Sequence, residues 1–359
     1  MHEVAGAEEP IRICIYGAGA IGGYLAAGLS EVEGVQLSVV ARGAHLAAIR
    51  KSGLKLLIDG ETRTCRPAAT DDPCDLGPQD YVVVCLKAHQ AWETAERMAP
   101  LLGPETAVVT GQNGVPWWYT YGLAGDLDGR FAGARLRSVD PDDRQWKALG
   151  PERAIGCVVY PATEIVEPGV VRHAYGDKFA LGEPVGSISE RCVRLANVLE
   201  RAGFAAPVLQ DIRSEIWLKL WGNLCFNPIS ALTRATLDIV ATEPALRGLS
   251  IRMMTEAEEI ARRFGVTFRV GIERRVNGAA RVGAHRTSML QDLESGRPLE
   301  IDALLTSVQE MGRLTGVETP YIDAVLGLVQ QLGRSLSVYP PIPAASAAVP
   351  ARAAGTVHA

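Results

Sequence analysis

The chain has 359 residues, 47% of them hydrophobic and 21% charged, a balance that suits a soluble protein with two buried cores. Its formal net charge of −5 predicts no general attraction to nucleic acid or to an anionic membrane surface, which leaves a small-molecule partner as the expectation. Seven cysteines, at 14, 65, 74, 85, 157, 192 and 225, form no C-x-x-C pair, so neither a zinc knuckle nor a disulfide framework is expected and a reducing compartment fits. The opening residues lack the basic and then apolar pattern of a signal peptide, and no apolar run reaches the ~18 residues of a membrane span. A cytoplasmic protein is expected.

Residues 1–10 are read as an N-terminal extension. Ile11-Arg-Ile-Cys-Ile-Tyr16 is a short β-branched run that stops at Gly17 and predicts a buried strand. Ala20 to Ser30, with Ile21, Leu25 and Leu29 on one stripe, predicts a helix, and Val35 to Val40 a second strand. Tyr81 to Cys85 and Thr106 to Thr110 are further strand-like runs around a helical segment from Ala91 to Leu102, so the N-terminal half predicts an open, mostly parallel α/β sheet. The irregular stretch from Pro116 to Pro151 and the extended one from Ile155 to Leu181 are assigned to the far side of the same domain. Helical periodicity then takes over in 189–202, 211–227, 242–264, 298–315 and 319–336. The expected architecture is an α/β domain over residues 11–208, an all-α domain over 209–338 and a disordered Pro/Ala-rich tail over 339–359.

Gly17-Ala18-Gly19-Ala20-Ile21-Gly22 is a G-x-G-x-x-G placed between the first predicted strand and the first predicted helix. Gly17 permits the tight turn, Gly19 lets a pyrophosphate approach the backbone, and Gly22 allows close packing of helix on strand. The helix N-terminus adds free N–H groups and the positive end of its dipole. All six loop residues are therefore assigned to cofactor binding. The second strand selects the dinucleotide: an acidic residue there suits a free ribose hydroxyl, but Ser38-Val-Val-Ala-Arg42 ends in an arginine whose fork suits a 2′-phosphate. NADPH/NADP is preferred over NAD on that residue, although an arginine in this position can also be simply solvated. Lys87 and Asn113 follow the next two strand ends, where such sheets bind ligands, and are assigned to cofactor or substrate. A surface lysine and a turn asparagine are the alternatives.

In the segment from Ile212 to Ser230, Lys219, Asn223 and Asn227 recur at i, i+4 and i+8 among Trp217, Leu220, Trp221, Leu224 and Phe226. A polar stripe on so apolar a helix implies hydrogen bonding to a ligand or to another helix, because a buried lysine without a partner is costly. Pro228 is expected to kink or end the helix. Farther on, Ser288 and Glu300 stand near predicted element ends, Glu300 in the first turn of the helix expected from Pro298. His285, three residues before Ser288, is placed to touch a substrate carboxylate, but beside Arg286 it reads first as a surface residue at a helix start. His173 and His89 have no partners at metal spacing, so no metal is expected. Glu256, Glu258 and Glu259 read as a solvated helix face.

Taken together, Gly17 to Gly22, Leu86-Lys87, Gln112-Asn113-Gly114, Lys219-x3-Asn223-x3-Asn227-Pro228 and Ser288-Met-Leu-Gln-Asp292 followed by Glu300-Ile-Asp302 resemble the ketopantoate reductase family. The resemblance spans residues 11 to 336. It implies a Rossmann domain joined to a helical domain like that of 6-phosphogluconate dehydrogenases, and NADPH-dependent reduction of 2-dehydropantoate to (R)-pantoate in pantothenate and coenzyme A biosynthesis. It further implies Lys219 as catalytic acid, Glu300 on the active-site substrate groups, Asn113, Asn223, Asn227 and Ser288 as substrate ligands, and Arg42, Lys87, Asn113 and Glu300 at the cofactor or cleft. The long segment from Trp117 to Pro151 departs from the family's expected shorter connection. Reduction of another 2-oxo or imino acid, and a non-catalytic NADPH-binding regulator, stay open as alternatives. So does the oligomeric state, with a homodimer as one option.

Overall fold

A computed structural model of the chain describes residues 9–123 and 131–340. Its strands are β1 (Ile11–Tyr16), β2 (Val35–Val40), β3 (Leu54–Ile58), β4 (Glu61–Cys65), β5 (Ala68–Thr70), β6 (Gln79–Val84), β7 (Leu102–Thr110), β8 (Ala154–Val159), β9 (Ala162–Glu167), β10 (Val170–Tyr175) and β11 (Phe179–Gly182). Its α-helices in the N-terminal half are α1 (Ala20–Leu29), α2 (Gly43–Ser52), α3 (Ala88–Thr94), α4 (Arg144–Leu149) and α5 (Glu190–Arg201). Those of the C-terminal half are α6 (Ile212–Thr233), α7 (Leu237–Thr242), α8 (Pro244–Arg263), α9 (Ile272–Ala280), α10 (Ser288–Glu294), α11 (Ser307–Thr315) and α12 (Pro320–Ser335).

The main sheet runs in the order β11-β8-β7-β6-β1-β2-β5 and is parallel except for β11, which pairs antiparallel with β8. From β1 the chain moves outward through β2 to β5, then returns to β6 on the other side of β1 and moves outward again. The order thus reverses between β1 and β6, and ligands of such sheets bind beyond the carboxyl ends of the strands at that crevice. The apolar runs of β1 and β6 are buried because helices and loops cover both faces of the sheet.

A second sheet, ordered β4-β3-β10-β9, covers one side of α1, where Gly23 lies close to Val171 and Leu54. Its β3–β4 hairpin turns at Asp59-Gly60, both at positive φ (51° and 82°), a local signal that the sequence carries in plain form. Its β3–β10 pairing is parallel and joins distant parts of the chain.

The helical domain is organised around the 22-residue α6. Trp217, Leu220, Trp221, Leu224 and Phe226 are buried there against α8, α10 and α12. Pro228 neither ends nor interrupts α6, which continues to Thr233. A mid-helix proline costs roughly 3 kcal/mol or more, but Phe226, Asn227, Ile229, Ser230 and Ala231 around it are all buried, and that packing holds the last turns in place.

Three further expectations are corrected. Residues 116–151 do not simply lie on the far side of the α/β domain: Tyr119, Phe131, Leu136 and Val139 enter the helical core, and Trp217 Nε1 donates to the Tyr119 hydroxyl at 2.6 Å. Glu256 is not a solvated face residue, since its carboxylate accepts the Tyr321 and Ile322 N–H groups at 2.9 Å each and caps α12. Tyr339 belongs to the body, donating to Asp302 Oδ1 at 2.7 Å. The rest of the expected tail, 341–359, and residues 1–8 of the expected extension lie outside the described residues.

Candidate active site

The carboxyl ends of four neighbouring strands carry four of the expected residues. Gly17 follows β1, Arg42 stands just past β2 as the N-cap of α2, Lys87 is the N-cap of α3 after β6, and Asn113 follows β7. Topology alone therefore gathers residues separated by nearly a hundred positions onto one edge of the sheet.

The glycine loop has the geometry an anionic dinucleotide needs. Gly17 is at φ 102°, and a Cβ on Gly22 would lie 2.1 Å from the Gly17 carbonyl oxygen and 2.8 Å from Ile15 Cγ2, so α1 rests directly on the end of β1. A Cβ on Gly19 would meet nothing within 4 Å, which leaves that backbone open to a ligand. Among the described residues the N–H groups of Gly19, Ala20, Ile21 and Gly22 have no backbone partner, as expected at a helix start free to receive phosphate. His45, which the sequence reading passed over, holds the loop from behind: its Nε2 bonds the Ala18 carbonyl at 2.7 Å while its Nδ1 accepts the Gly169 N–H at 3.1 Å. Accepting at Nδ1 fixes the neutral tautomer with its proton on Nε2. Arg42 is exposed and has no ion-pair partner among the described residues.

Across the crevice, α6 presents the polar stripe. Lys219 Nζ donates to Asn113 Oδ1 at 2.7 Å and to the Val159 carbonyl, and stands 5.8 Å from the centre of the Tyr160 ring. Burial pushes its ammonium down from the ordinary 10.5 to about 8, against the opposing pull of Cys157 and Glu300. Asn223 lines the same small cavity beside Lys219, Asn113 and Trp118. One turn farther, buried Asn227 donates from Nδ2 to Ser288 Oγ at 3.3 Å, at the exposed start of α10.

Glu300 comes to the same point from the helical domain. It stands just before the helical stretch from Ile301, which opens with a π-helical turn over Asp302–Thr306, and not inside a helix begun at Pro298. Its Oε1 accepts the Ala88 N–H at 3.3 Å. Burial pushes its carboxyl up, while the Lys87 ammonium and the Asn113 amide hold it back. Lys87 is engaged otherwise than the sequence suggested: its Nζ donates to Asp292 Oδ2 at 2.6 Å and to the Pro298 carbonyl at 2.8 Å, which ties the two domains together.

A second group was not read from the sequence. Glu215, one turn before Lys219 on α6, is fully buried; its Oε1 accepts the Tyr160 hydroxyl at 2.6 Å and Lys178 Nζ at 2.7 Å, and its Oε2 pairs with Arg269 at 2.6 Å. Burial alone would raise this carboxyl, but Lys178, Tyr160 and Arg269 outweigh it and hold it below the usual range. Only its i−4 spacing from Lys219 in an apolar segment could have signalled it.

A dinucleotide-binding sheet, a helical domain closing over its strand ends, and a lysine of lowered basicity between them define a two-domain oxidoreductase. The sequence matches the family model described as ketopantoate reductase PanE/ApbA over residues 13–186, and the corresponding C-terminal model over residues 211–333. The 2-dehydropantoate 2-reductase of Mesorhizobium japonicum is 54% identical over 312 residues, covering 87% of this chain and 94% of the relative. A Ralstonia solanacearum structure whose name carries the same family has a TM-score of 0.86 at 43% identity, covering 92% of this chain and 100% of that one. The 2-dehydropantoate 2-reductase of Geobacter metallireducens superposes with a TM-score of 0.75 at 27% identity, covering 90% and 100%. The chain belongs to the ketopantoate reductase family. No helix among the described residues is long and apolar enough to cross a membrane.

Proposed function

We propose that this chain is an NADPH-dependent 2-dehydropantoate 2-reductase acting in the cytoplasm, with Lys219 as the general acid. The observation that carries the proposal is the Lys219 ammonium, held by Asn113 Oδ1 and the Val159 carbonyl at the face of the crevice opposite the glycine loop. The relatives' shared name supports the substrate.

When bound, NADPH supplies the hydride that reaches the 2-oxo carbon. The amides of Gly19 to Gly22 bind the pyrophosphate and Arg42 the 2′-phosphate. Lys219, charged below about pH 8, stabilises the oxygen as negative charge develops on it and then donates its proton there. Asn113 orients Lys219 through its carbonyl oxygen, and Asn223, Asn227 and Ser288 bind the substrate's polar groups. Glu300 accepts from a substrate hydroxyl and, through its charge, keeps Lys219 protonated. Closure of the helical domain over the strand ends removes water from the site.

Arg42→Asp should remove most of the preference for NADPH over NADH, because one charge-assisted contact contributes about 1.5 to 3 kcal/mol, roughly ten- to over a hundred-fold in affinity. Equal use of both cofactors by the wild-type protein would refute the role of Arg42. Glu300→Ala should reduce turnover far more than NADPH affinity. Parallel loss of both, with a lower Tm, would instead mark Glu300 as structural.

The whole proposal is tested by offering a panel of 2-oxo acids with NADPH and following loss of the reduced cofactor. 2-Dehydropantoate is expected to give the highest kcat/KM. NADPH binding without turnover of any member would indicate a regulator.

A further inference from the structure

Arg275, on α9, brings a guanidinium against α6 one turn beyond Lys219. A Cβ on Gly222 would lie 2.3 Å from its Nη2 and 3.1 Å from its Cζ, so its guanidinium abuts α6 at the residue before Asn223. It stands 6.0 Å from the centre of the Phe226 ring, and its charge is felt by the Tyr160 phenol and the Cys225 thiol. Among the described residues its side chain has no hydrogen bond and no ion pair, although the residue is partly buried.

The neighbouring charges make this unusual. Lys178 and Arg269 both pair with the carboxylate of Glu215. Lys219 faces the same Tyr160 ring and is held by neutral acceptors only. Among the described residues neither Lys219 nor Arg275 has an acidic hydrogen-bond or ion-pair partner, although the Glu300 carboxylate acts on Lys219 from farther off. A partly desolvated guanidinium is retained at such a place when an anion arrives to pair with it, and a carboxylate matches its planar fork with two parallel hydrogen bonds.

We propose that Arg275 binds the carboxylate of the 2-oxo acid substrate, and that Gly222 is glycine because any side chain there would displace the guanidinium. The two cations then divide the substrate: Arg275 takes the carboxylate and Lys219 the carbonyl oxygen two atoms away. This inference rests on the reading of the site as a 2-oxo acid reductase, and it makes the carboxylate, not the rest of the chain, the feature that every accepted substrate shares.

The test compares a 2-oxo acid with its own methyl ester, which keeps the carbonyl and loses the charge. Wild-type protein should prefer acid to ester by on the order of 10- to 100-fold in kcat/KM. Arg275→Met should erase that preference by raising KM for the acid, with NADPH affinity and saturated kcat unchanged, and Arg275→Lys should restore part of it. Gly222→Ala should imitate Arg275→Met while leaving the arginine in the chain. If Arg275→Met keeps the wild-type preference, or loses acid and ester activity equally along with Tm, the inference is overturned while the reductase reading stands. If the wild-type protein ignores 2-dehydropantoate but shows the same Arg275-dependent preference with another 2-oxo acid, the substrate reading fails and the inference stands.

Discussion

Lys219→Met should bind NADPH like the wild-type protein yet lose on the order of 10² to 10⁴ in turnover, the usual range for removal of a general acid. Methionine keeps much of the apolar stem, so α6 and its packing around Trp217, Leu220 and Trp221 should persist. The loss is larger if the ammonium also stabilises the developing alkoxide. The lysine is lowered to about 8, the acid must be protonated, and so wild-type turnover should be full below that pH and fall as pH rises through it. The limb should be absent from the residual activity of the variant. A folded, NADPH-binding variant that kept more than about a third of wild-type turnover, far from the loss expected for an acid, would refute the role.

Gly22→Ala should abolish productive dinucleotide binding, because the added methyl falls 2.1 Å from a backbone oxygen, that of Gly17, which cannot rotate out of the way as a side chain would. Either α1 lifts from β1 or the Gly17 turn opens, and both displace the N–H groups at the helix start. Overpacking of this kind costs typically 1–3 kcal/mol in stability, so a lowered Tm is expected along with loss of NADPH binding by fluorescence titration. Gly19→Ala, where a Cβ meets nothing, should leave Tm unchanged and weaken only the cofactor. Equal Tm and equal NADPH affinity for Gly22→Ala and wild-type protein would contradict the packing account.

What the sequence made legible is local. The run Ile11 to Tyr16, the glycine spacing and the stripe of α1 lie within twenty consecutive residues, and their pattern is set by burial and turn chemistry alone. The i, i+4, i+8 spacing put Lys219, Asn223 and Asn227 on one face before any tertiary contact was known. What was hidden is long-range. Lys87 bonds Asp292 across 205 positions, and Lys219 bonds Asn113 across 106, so neither partner could be read from spacing. The second sheet needs the parallel β3–β10 pairing, and Arg275 of α9 meets Gly222 of α6 only through tertiary packing. Pro228 shows the opposite error, a sound local rule overruled by the burial of both its flanks.

The protein's own cleft should reduce 2-dehydropantoate at the expense of NADPH. Purified protein mixed with the two should consume them in equal amounts and yield (R)-pantoate, with Lys219→Met as the inactive control. Tight binding of NADPH with no pantoate formed, or a second 2-oxo acid reduced with a higher kcat/KM than 2-dehydropantoate, would contradict it.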